Sequence, residues 1–409
     1  MRNLSQKIKS IVEKITDIDR KAEEHARVRL DSLTKPQGSL GRLEELAKQI
    51  AAVTGVLRPD FSKKLIIVMA ADHGVVDEEV SAYPKEVTTQ MVYNFLSGGA
   101  AINVLARHVG ADVVVVDAGV AEELNSSVKL SDLAEILCTA NQKGKEKIEG
   151  ETEHIKKIQD LSDIIRITNA KDAKQYGQMA SILIDKKVAY GTSNMAVGPS
   201  MTEEQAFSAV EAGIEVAEEM ISLGYKIIGT GDMGIGNTTA SSAVAACICG
   251  VDAGLVTGYG TGINEAGYQK KVDVIRKALE INKPDAGSGI DVLAKVGGFE
   301  IGGIAGIILA CASQKIPVVI DGFISGAAAL IAEAVAPKCR DYMISSHCSV
   351  ERGHKIVLEK LRLKPLFNFD MRLGEGTGAA IGISIAEAAI KILNGMATFD
   401  GAGVSRKNE

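Results

Sequence analysis

Short apolar runs alternate with amphipathic stretches along most of the chain and predict an α/β fold. The apolar runs are typical of strands buried on both faces, and they lie at 65–69, 113–116, 226–229, 317–320 and 342–344. Apolar residues at helical spacing predict helices at about 88–108, 203–222, 238–249, 264–281, 303–313 and 325–335. Strand and helix in turn predict a parallel sheet with helices on both faces.

Both flanks of this pattern differ from it. Before the first strand, residues 5–27 carry a helical apolar stripe, formed by Ile8, Ile11, Val12, Ile15 and Ile18. A break at 34–41 contains Pro36, Gly38 and Gly41, and a second helix follows it with Leu43, Leu46, Ala47 and Ile50 on one face. Residues from about 125 to 186 are highly charged, with a weak helical pattern at 180–183. We predict a helical insertion there, either a lid or a peripheral subdomain.

Composition narrows the class of protein. The 409 residues are 46% hydrophobic and 24% charged, which is typical of a globular protein with a large core, and the formal charge of −6 disfavours nucleic-acid binding. The polar first 20 residues lack the apolar core of a signal peptide, and no apolar run reaches membrane-spanning length. Six scattered cysteines fit a reducing compartment. We therefore expect a cytoplasmic protein that contacts no membrane.

The segment 371–378 is the strongest candidate site. Glu375 stands among glycines, which allow a ligand to approach the backbone closely. Arg372, three positions earlier, offers a planar fork of donors for phosphate or carboxylate. One acid, one arginine and a glycine frame indicate a site for a small phosphorylated substrate.

A second glycine-rich segment, 231–239, joins a predicted strand to a predicted helix. Backbone N–H groups at a helix N-terminus favour an anion, and Thr238 and Thr239 add hydroxyl donors. The alternative is a tight turn with a threonine cap. Because no lysine follows the last glycine, the segment is not a Walker loop.

Other polar positions carry weaker signals. Asp72 and His73 follow the first strand, but sequence neighbours point apart, so a loop in which both bond to backbone is the simpler interpretation. The histidines lack metal-ligand spacing, so we predict no metal site. Lys271, on a helix beside apolar residues, is by itself most simply a solvated side chain.

Seven segments taken together resemble one family, the nicotinate-nucleotide–dimethylbenzimidazole phosphoribosyltransferases. The resemblance covers roughly 1–124 and 187–400, in order. Each segment alone is a weak signal, whereas all of them in register are specific. They are 33–43, 71–74, 84–88, 234–239, 291–299, 321–323 and 371–378.

The resemblance implies a reaction and a fold. The ribose 5-phosphate of nicotinate mononucleotide would move to a nitrogen of 5,6-dimethylbenzimidazole, giving α-ribazole 5′-phosphate and nicotinate in the assembly of the cobalamin nucleotide loop. No cofactor is implied. The family is a homodimer with a Rossmann-like parallel sheet and a small helical domain built from both chain ends. We accordingly place the small domain at 1–60 with part of 380–409, and the catalytic domain at 61–379.

Site residues follow from the resemblance position by position. Glu375 stands at the position of the general base, and Asp232 stands where the family has a glutamate near the reacting centre. Positions near the nucleotide are occupied by Gly234, Gly236, Asn237, Thr238, Lys271, Ser349, Arg372 and Gly374. Asp321, at a strand end, is assigned a structural role.

The walls of the benzimidazole pocket match Tyr83, Met91 and Leu373. Tyr83 and Met91 replace a serine and a glutamine of the family, which leaves other acceptors open, including adenine, substituted benzimidazoles and phenols. Two further hypotheses therefore stand beside the first. One is a related transferase with another acceptor, and the other is a nucleotide-binding regulatory protein without catalysis, which the retention of Glu375 and Arg372 disfavours.

Overall fold

A parallel seven-stranded sheet forms the centre of the computed structural model, which describes residues 4–125, 128–129 and 181–405. The strands are β1 (Lys64–Ala71), β2 (Asp112–Gly119), β3 (Val128–Lys129), β4 (Ile182–Asp185), β5 (Ile227–Met233), β6 (Val318–Ile320) and β7 (Met343–Ser345). Their order is β3-β4-β2-β1-β5-β6-β7, and neighbouring strands are parallel. The predicted α/β fold class with a parallel sheet is confirmed.

Helices cover both faces of the sheet. They are α1 (Gln6–Lys14), α2 (Arg20–Ser32), α3 (Arg42–Thr54), α4 (Glu86–Leu96), α5 (Ala101–Val109), α6 (Glu203–Ser222), α7 (Asn237–Cys249), α8 (Ala253–Val256), α9 (Glu265–Asn282), α10 (Gly289–Val296), α11 (Phe299–Ser313), α12 (Phe323–Val335), α13 (Arg352–Leu361), α14 (Thr377–Gly395) and α15 (Phe399–Ala402). Short 3₁₀ helices lie at Gly74–Glu78 and Pro337–Tyr342.

Alternation along β1 shows how the two layers arise. Leu65, Ile67 and Met69 point into one core with α6 and α11. Ile66 and Val68 point into the other core, with α3, α5 and α14. All eight residues of β1 are buried, because successive side chains of a strand face opposite sides and both sides are covered.

Helix α14 is strongly apolar because it packs into the core. By length and composition alone it could cross a membrane, and it is the helix among the described residues that passes this test. It packs on the sheet and on α3 and α5, and Ala379, Ile383 and Leu393 are fully buried. Packing against a sheet thus accounts for its hydropathy.

The chain ends pack together as a helical layer. Helix α2 packs on α3, and α3 packs on α14. The Arg29 guanidinium donates to the carbonyl of Leu393, and Leu33 forms an isolated antiparallel bridge with Thr398. The fold-class prediction of a helical unit from both chain ends is therefore confirmed, while its boundaries stay a prediction.

Three predicted elements differ from the observed ones. The stripe at 5–27 forms two helices, because the Asp19 side chain accepts from the backbone N–H groups of Lys21 and Ala22 and starts a new helix. The helix at 88–108 is likewise divided at residues 97–100. The predicted weak helix at 180–183 is wrong, since 182–185 is a strand paired with β2.

Both ends of the predicted insertion at 125–186 contain strands. Its first and last parts, 128–129 and 182–185, are strands of the sheet. The prediction of a helical insertion otherwise falls on residues outside the described ranges.

Candidate functional site

The candidate site lies at the carboxyl edge of the sheet. Strands β1 and β5 are neighbours, but the chain continues from β1 to one side of the sheet and from β5 to the other, so the strand order reverses between them. Ligands of open parallel sheets bind at such a point. Asp72 and His73 follow β1, Asp232 lies near the end of β5, and Asp321 follows β6. These side chains approach one another because parallel strands end at the same edge.

The segment 371–376 is held over this edge by the start of α14. The Asp321 carboxylate accepts from the backbone N–H groups of Gly376 (3.2 Å) and Ala379 (2.9 Å). A negative charge is stabilised there because the first N–H groups of a helix have no partner within the helix. The structural role assigned to Asp321 therefore has a concrete form, since it holds the residue that follows Glu375.

Glu375 itself adopts a strained backbone. Its φ is 62°, in the left-handed region that disfavours side chains larger than glycine, and it stands between Gly374 (φ 81°) and Gly376 (φ 89°). The side chain is 6% exposed, and one carboxylate oxygen accepts a 3.4 Å hydrogen bond from the N–H of Ile102. The glycines allow a turn in which the acid is directed inward.

Asp232 faces this segment from β5. One of its carboxylate oxygens accepts from the Asn237 amide at 3.0 Å, and the other is buried with no hydrogen-bond partner among the described residues. A Cβ atom on Gly374 would lie 3.0 Å from the Asp232 carboxylate. The structure thus brings together Asp232, Asn237 and Gly374, and glycine at 374 leaves the approach to the acid open.

Burial and mutual repulsion shift the pKa values of the acids of this site. Burial raises the pKa of Asp232 well above its ordinary value, and the charges of Asp321, Glu300 and Glu375 act in the same direction. Burial raises the pKa of Glu375, against one backbone hydrogen bond, and raises that of Asp321 to about 7. Carboxylates with raised pKa are better proton acceptors near neutral pH, and such values are typical of functional sites.

The glycine segment after β5 forms the start of α7. The strand extends through Met233, so Gly231 and Asp232 belong to the sheet and not to the predicted loop. Gly236 adopts φ 95° as the residue before the helix, and the N–H of Ile235 donates to the Thr88 hydroxyl at 3.1 Å. Helix α7 begins at Asn237, so its first N–H groups are directed toward this edge.

Two cationic side chains, Lys271 and Arg372, form a positively charged group beside the start of α7. The Lys271 ammonium donates to the Thr238 hydroxyl at 2.7 Å, and the Arg372 guanidinium donates to the carbonyl of Gly260 at 2.9 Å. A Cβ atom on Gly260 would lie 3.0 Å from both the Lys271 nitrogen and the Thr238 hydroxyl, so the loop joins the two cations. A lysine, an arginine, a hydroxyl and a helix N-terminus are suited to a phosphate.

Lys271 is 1% exposed, so the interpretation of a solvated side chain is wrong. Burial lowers the pKa of its ammonium to about 8, although the charge of Glu351 opposes this shift. Ser349 is also buried, and its hydroxyl accepts from the N–H of Glu351 at 3.3 Å. The next residue, Val350, donates its N–H to the carbonyl of Met371, which places Ser349 beside the segment that carries Arg372.

Two of the three residues assigned to the benzimidazole pocket are exposed. Tyr83 is 54% exposed and Leu373 is 58% exposed, whereas Met91 is half-buried. The loop of Tyr83 is tied to the neighbouring loop, because the N–H of Ala82 donates to the Thr261 hydroxyl at 3.0 Å. Thr261 follows Gly260, so this loop adjoins the positively charged group.

Sequence reasoning missed one buried pair, His73 with Glu300. The imidazole Nε2 lies 2.8 Å from a Glu300 carboxylate oxygen, and both side chains are almost fully buried. Asp72 accepts from the backbone N–H of Ala121, so the expectation that both residues bond to backbone is right for Asp72 and wrong for the His73 side chain. Glu300 directly follows the segment 291–299, and a charge in an otherwise apolar helix was the available signal. Within the described ranges, no group of three or more His, Cys, Asp or Glu residues is arranged to hold a metal ion.

Comparison with known proteins shows similarity to one family. A family model described as phosphoribosyltransferase matches residues 15–404. The nicotinate-nucleotide–dimethylbenzimidazole phosphoribosyltransferase of Roseiflexus sp. (strain RS-1) is 50% identical, covering 97% of this chain and 98% of the relative. The enzyme of the same name from Desulforudis audaxviator is 48% identical over 98% and 99%. The crystal structure of the Thermus thermophilus enzyme superposes with a TM-score of 0.78 at 40% identity, covering 95% of this chain and 100% of that one.

Proposed function

The chain belongs to the family of nicotinate-nucleotide–dimethylbenzimidazole phosphoribosyltransferases, and from this premise we propose that it catalyses the reaction in that name. It transfers the ribose 5-phosphate of nicotinate mononucleotide to 5,6-dimethylbenzimidazole. The products are α-ribazole 5′-phosphate and nicotinate, in the assembly of the cobalamin nucleotide loop.

The chemistry requires one proton acceptor. A benzimidazole nitrogen forms a bond to C1′ of the ribose while the bond from C1′ to the pyridinium nitrogen breaks. Nicotinate leaves as a neutral ring, so no acid is needed to protonate it. The second benzimidazole nitrogen loses its proton, and Glu375 accepts it in our proposal. The observation that carries this assignment is the buried Glu375 carboxyl with its raised pKa at the edge of the sheet.

The nucleotide phosphate binds, in our proposal, to the positively charged group. Lys271, Thr238 and Arg372 supply an ammonium, a hydroxyl and a guanidinium around the Gly260 loop. Gly234, Gly236 and Asn237 supply the turn and the helix start beside them, and Ser349 adds a hydroxyl. The dianionic phosphate raises the pKa of Lys271 on binding, which keeps its ammonium charged.

We propose that the Asp232 carboxyl faces the cationic end of the nucleotide. The charge of Glu375 raises the pKa of Asp232, and the positive pyridinium would favour the ionised form of both acids. Aspartate is one methylene shorter than the family's glutamate. We therefore propose that Asp232 orients the Asn237 amide, from which it accepts a hydrogen bond.

A competition assay tests the function. Nicotinate mononucleotide is offered with 5,6-dimethylbenzimidazole, adenine, substituted benzimidazoles and phenols, and the ribotides are identified by mass spectrometry. Formation of α-ribazole 5′-phosphate together with one equivalent of nicotinate is expected. Release of nicotinate without any ribotide product would sink the proposal.

The identity of the acceptor base depends on the residues assigned to the wall of its pocket. Tyr83 and Met91 present an aromatic ring and a thioether where the family has a serine and a glutamine. A transferase with another preferred acceptor is the second candidate, and preferential use of a base other than dimethylbenzimidazole in the same assay would favour it.

Assembly and location remain proposals of their own. We propose a homodimer in the cytoplasm, with the small helical domain at 1–60 and part of 380–409. Light scattering of the 43.1 kDa chain should give about twice that mass. A monomeric mass at the concentration of the activity assay would contradict the dimer.

A further inference from the structure

The buried pair His73 and Glu300 has no part in the reaction described above, although it lies next to the site. Glu300 is in the first turn of α11, and His73 follows β1. The histidine side chain is 1% exposed and the glutamate side chain 0%. The second carboxylate oxygen of Glu300 is buried and has no hydrogen-bond partner in the part of the chain that the structure describes. A buried charge is costly unless it is paired. The contact with His73 therefore stabilises the Glu300 carboxylate in the core.

The pair is enclosed by glycine backbone on two sides. A Cβ atom on Gly236 would lie 3.1 Å from the His73 Cβ, and one on Gly234 would lie 3.5 Å from its Nε2. From the other side, a Cβ atom on Gly298 would lie 2.3 Å from the ring and 2.6 Å from the Glu300 carboxylate. The imidazole therefore packs directly against the turn 234–236.

The pair also acts electrostatically on the site. The charge of Glu300 contributes to the raised pKa of Asp232. Burial by itself lowers the pKa of His73, but the charge and hydrogen bond of Glu300 outweigh burial and raise it.

We propose that His73 and Glu300 are positioning residues, which hold the turn 234–236 in the conformation that receives the nucleotide. This inference rests on the proposed function. The ring is fixed by the carboxylate, and the fixed ring supports Gly234 and Gly236. Neither residue is among those assigned to the acceptor pocket, so we expect the pair to affect the nucleotide more than the acceptor base.

Removing Glu300 separates the two substrates in a kinetic assay. In Glu300→Ala, kcat/KM for nicotinate mononucleotide should fall by about tenfold or more through a rise in its KM, because small displacements of a binding element cost up to about 10²-fold. The KM for dimethylbenzimidazole should stay within about twofold. Glu300→Gln retains a hydrogen-bonding group toward His73 and should restore the nucleotide KM to near the wild-type value.

The control is an acid of similar pairing at the other end of the sheet. Glu387 lies 2.8 Å from the ammonium of Lys64 at the start of β1, and Glu387→Ala should change neither KM. An unchanged nucleotide KM in folded Glu300→Ala, or an equal rise in both KM values, would overturn the proposal. Circular dichroism establishes whether each variant is folded.

A second variant covers the case in which Glu300→Ala does not fold. Glu300→Asp keeps the charge but withdraws it from His73 by one methylene, so it should give the same nucleotide-specific rise. A wild-type nucleotide KM in Glu300→Asp, or loss of the fold in both variants, would refute a positioning role. Calorimetric binding of nicotinate mononucleotide to the same proteins tests the pair independently of turnover, whereas absence of transfer by the wild type would count against the proposed function alone.

Discussion

At the scale of single residues, the backbone of Glu375 is the most telling feature. A glutamate at φ 62° between two glycines of positive φ is held there by its surroundings, since Asp321 fixes the N–H of Gly376. Strain of this kind recurs at functional sites, where it fixes a side chain in a direction that relaxed backbone would not give. The same turn leaves Gly374 open toward Asp232.

Replacing Glu375 by glutamine removes the proton acceptor and retains the shape. We expect Glu375→Gln to lower turnover by about 10²–10⁴-fold, because general bases typically contribute that much. The Kd for nicotinate mononucleotide should change little, since the phosphate contacts are elsewhere. Stopped assays of ribotide formation and calorimetry measure the two quantities. Turnover near that of the wild type would show that another group accepts the proton.

Lys271 predicts an alkaline limit for nucleotide capture. Its pKa in the free protein is lowered by burial to about 8, so the ammonium loses its charge as the pH rises through that value. The ratio kcat/KM for nicotinate mononucleotide should therefore fall above about pH 8. In Lys271→Arg, whose guanidinium stays protonated, that limb should disappear. An alkaline limb that persists unchanged in the arginine variant would assign it to another group.

At the scale of elements, the strand β4 shows how context decides structure. Residues 182–185 are too few to display a period, and the apolar positions around 180–183 suggested a weak helix. In the structure they pair with both β2 and β3, and Leu183 is fully buried between the helical layers. Short apolar runs are ambiguous between buried helix and strand, and neighbouring strands resolved this one.

This assignment of β4 can be tested by stability. Leu183→Ala should lower the free energy of unfolding by about 2–5 kcal/mol, since it removes a large side chain from a closed core. Urea denaturation monitored by circular dichroism measures the loss. The matched substitution Val197→Ala, at a position that is 73% exposed, should change it by less than about 0.5 kcal/mol. Equal effects of the two substitutions would argue against burial of β4.

At the scale of the whole molecule, close contact of α6 and α11 shapes one layer. A Cβ atom on Gly213 would lie 1.8 Å from the carbonyl oxygen of Gly303, and one on Gly306 would lie 2.0 Å from that of Val210. Glycine at these positions lets the helices approach until their backbones touch. Helix α11 thereby brings Glu300, in its first turn, under the site.

The glycine contact predicts a global effect from a single methyl group. Gly306→Ala should lower the free energy of unfolding by about 1–3 kcal/mol, since overpacking forces backbone shifts. Gly395→Ala, at the end of α14 with open space around its Cα, is the control and should be close to neutral. Thermal unfolding of both variants gives the comparison. A neutral Gly306→Ala would mean that the helices separate at little cost.

The order of residues along the chain predicts the layers of the fold and most of the candidate site residues. Alternation of apolar runs with amphipathic stretches predicts α/β architecture because burial on two faces and on one face leave different local patterns. The motif around Glu375 and Arg372, and the glycines after β5, were visible because unusual backbone and charged side chains are local properties. Lys271 was recovered by resemblance alone, since its own surroundings predicted a solvated side chain.

Features that depend on contacts between distant segments follow from the three-dimensional structure. It paired His73 with Glu300, residues separated by 227 positions, and placed Asp321 beneath the segment of Glu375. It turned 182–185 into a strand and divided the first helical stripe at Asp19. The physical reason is common to these cases: burial, pairing of charges and the shifts in pKa that follow depend on what surrounds a residue in space, and linear order does not contain that information.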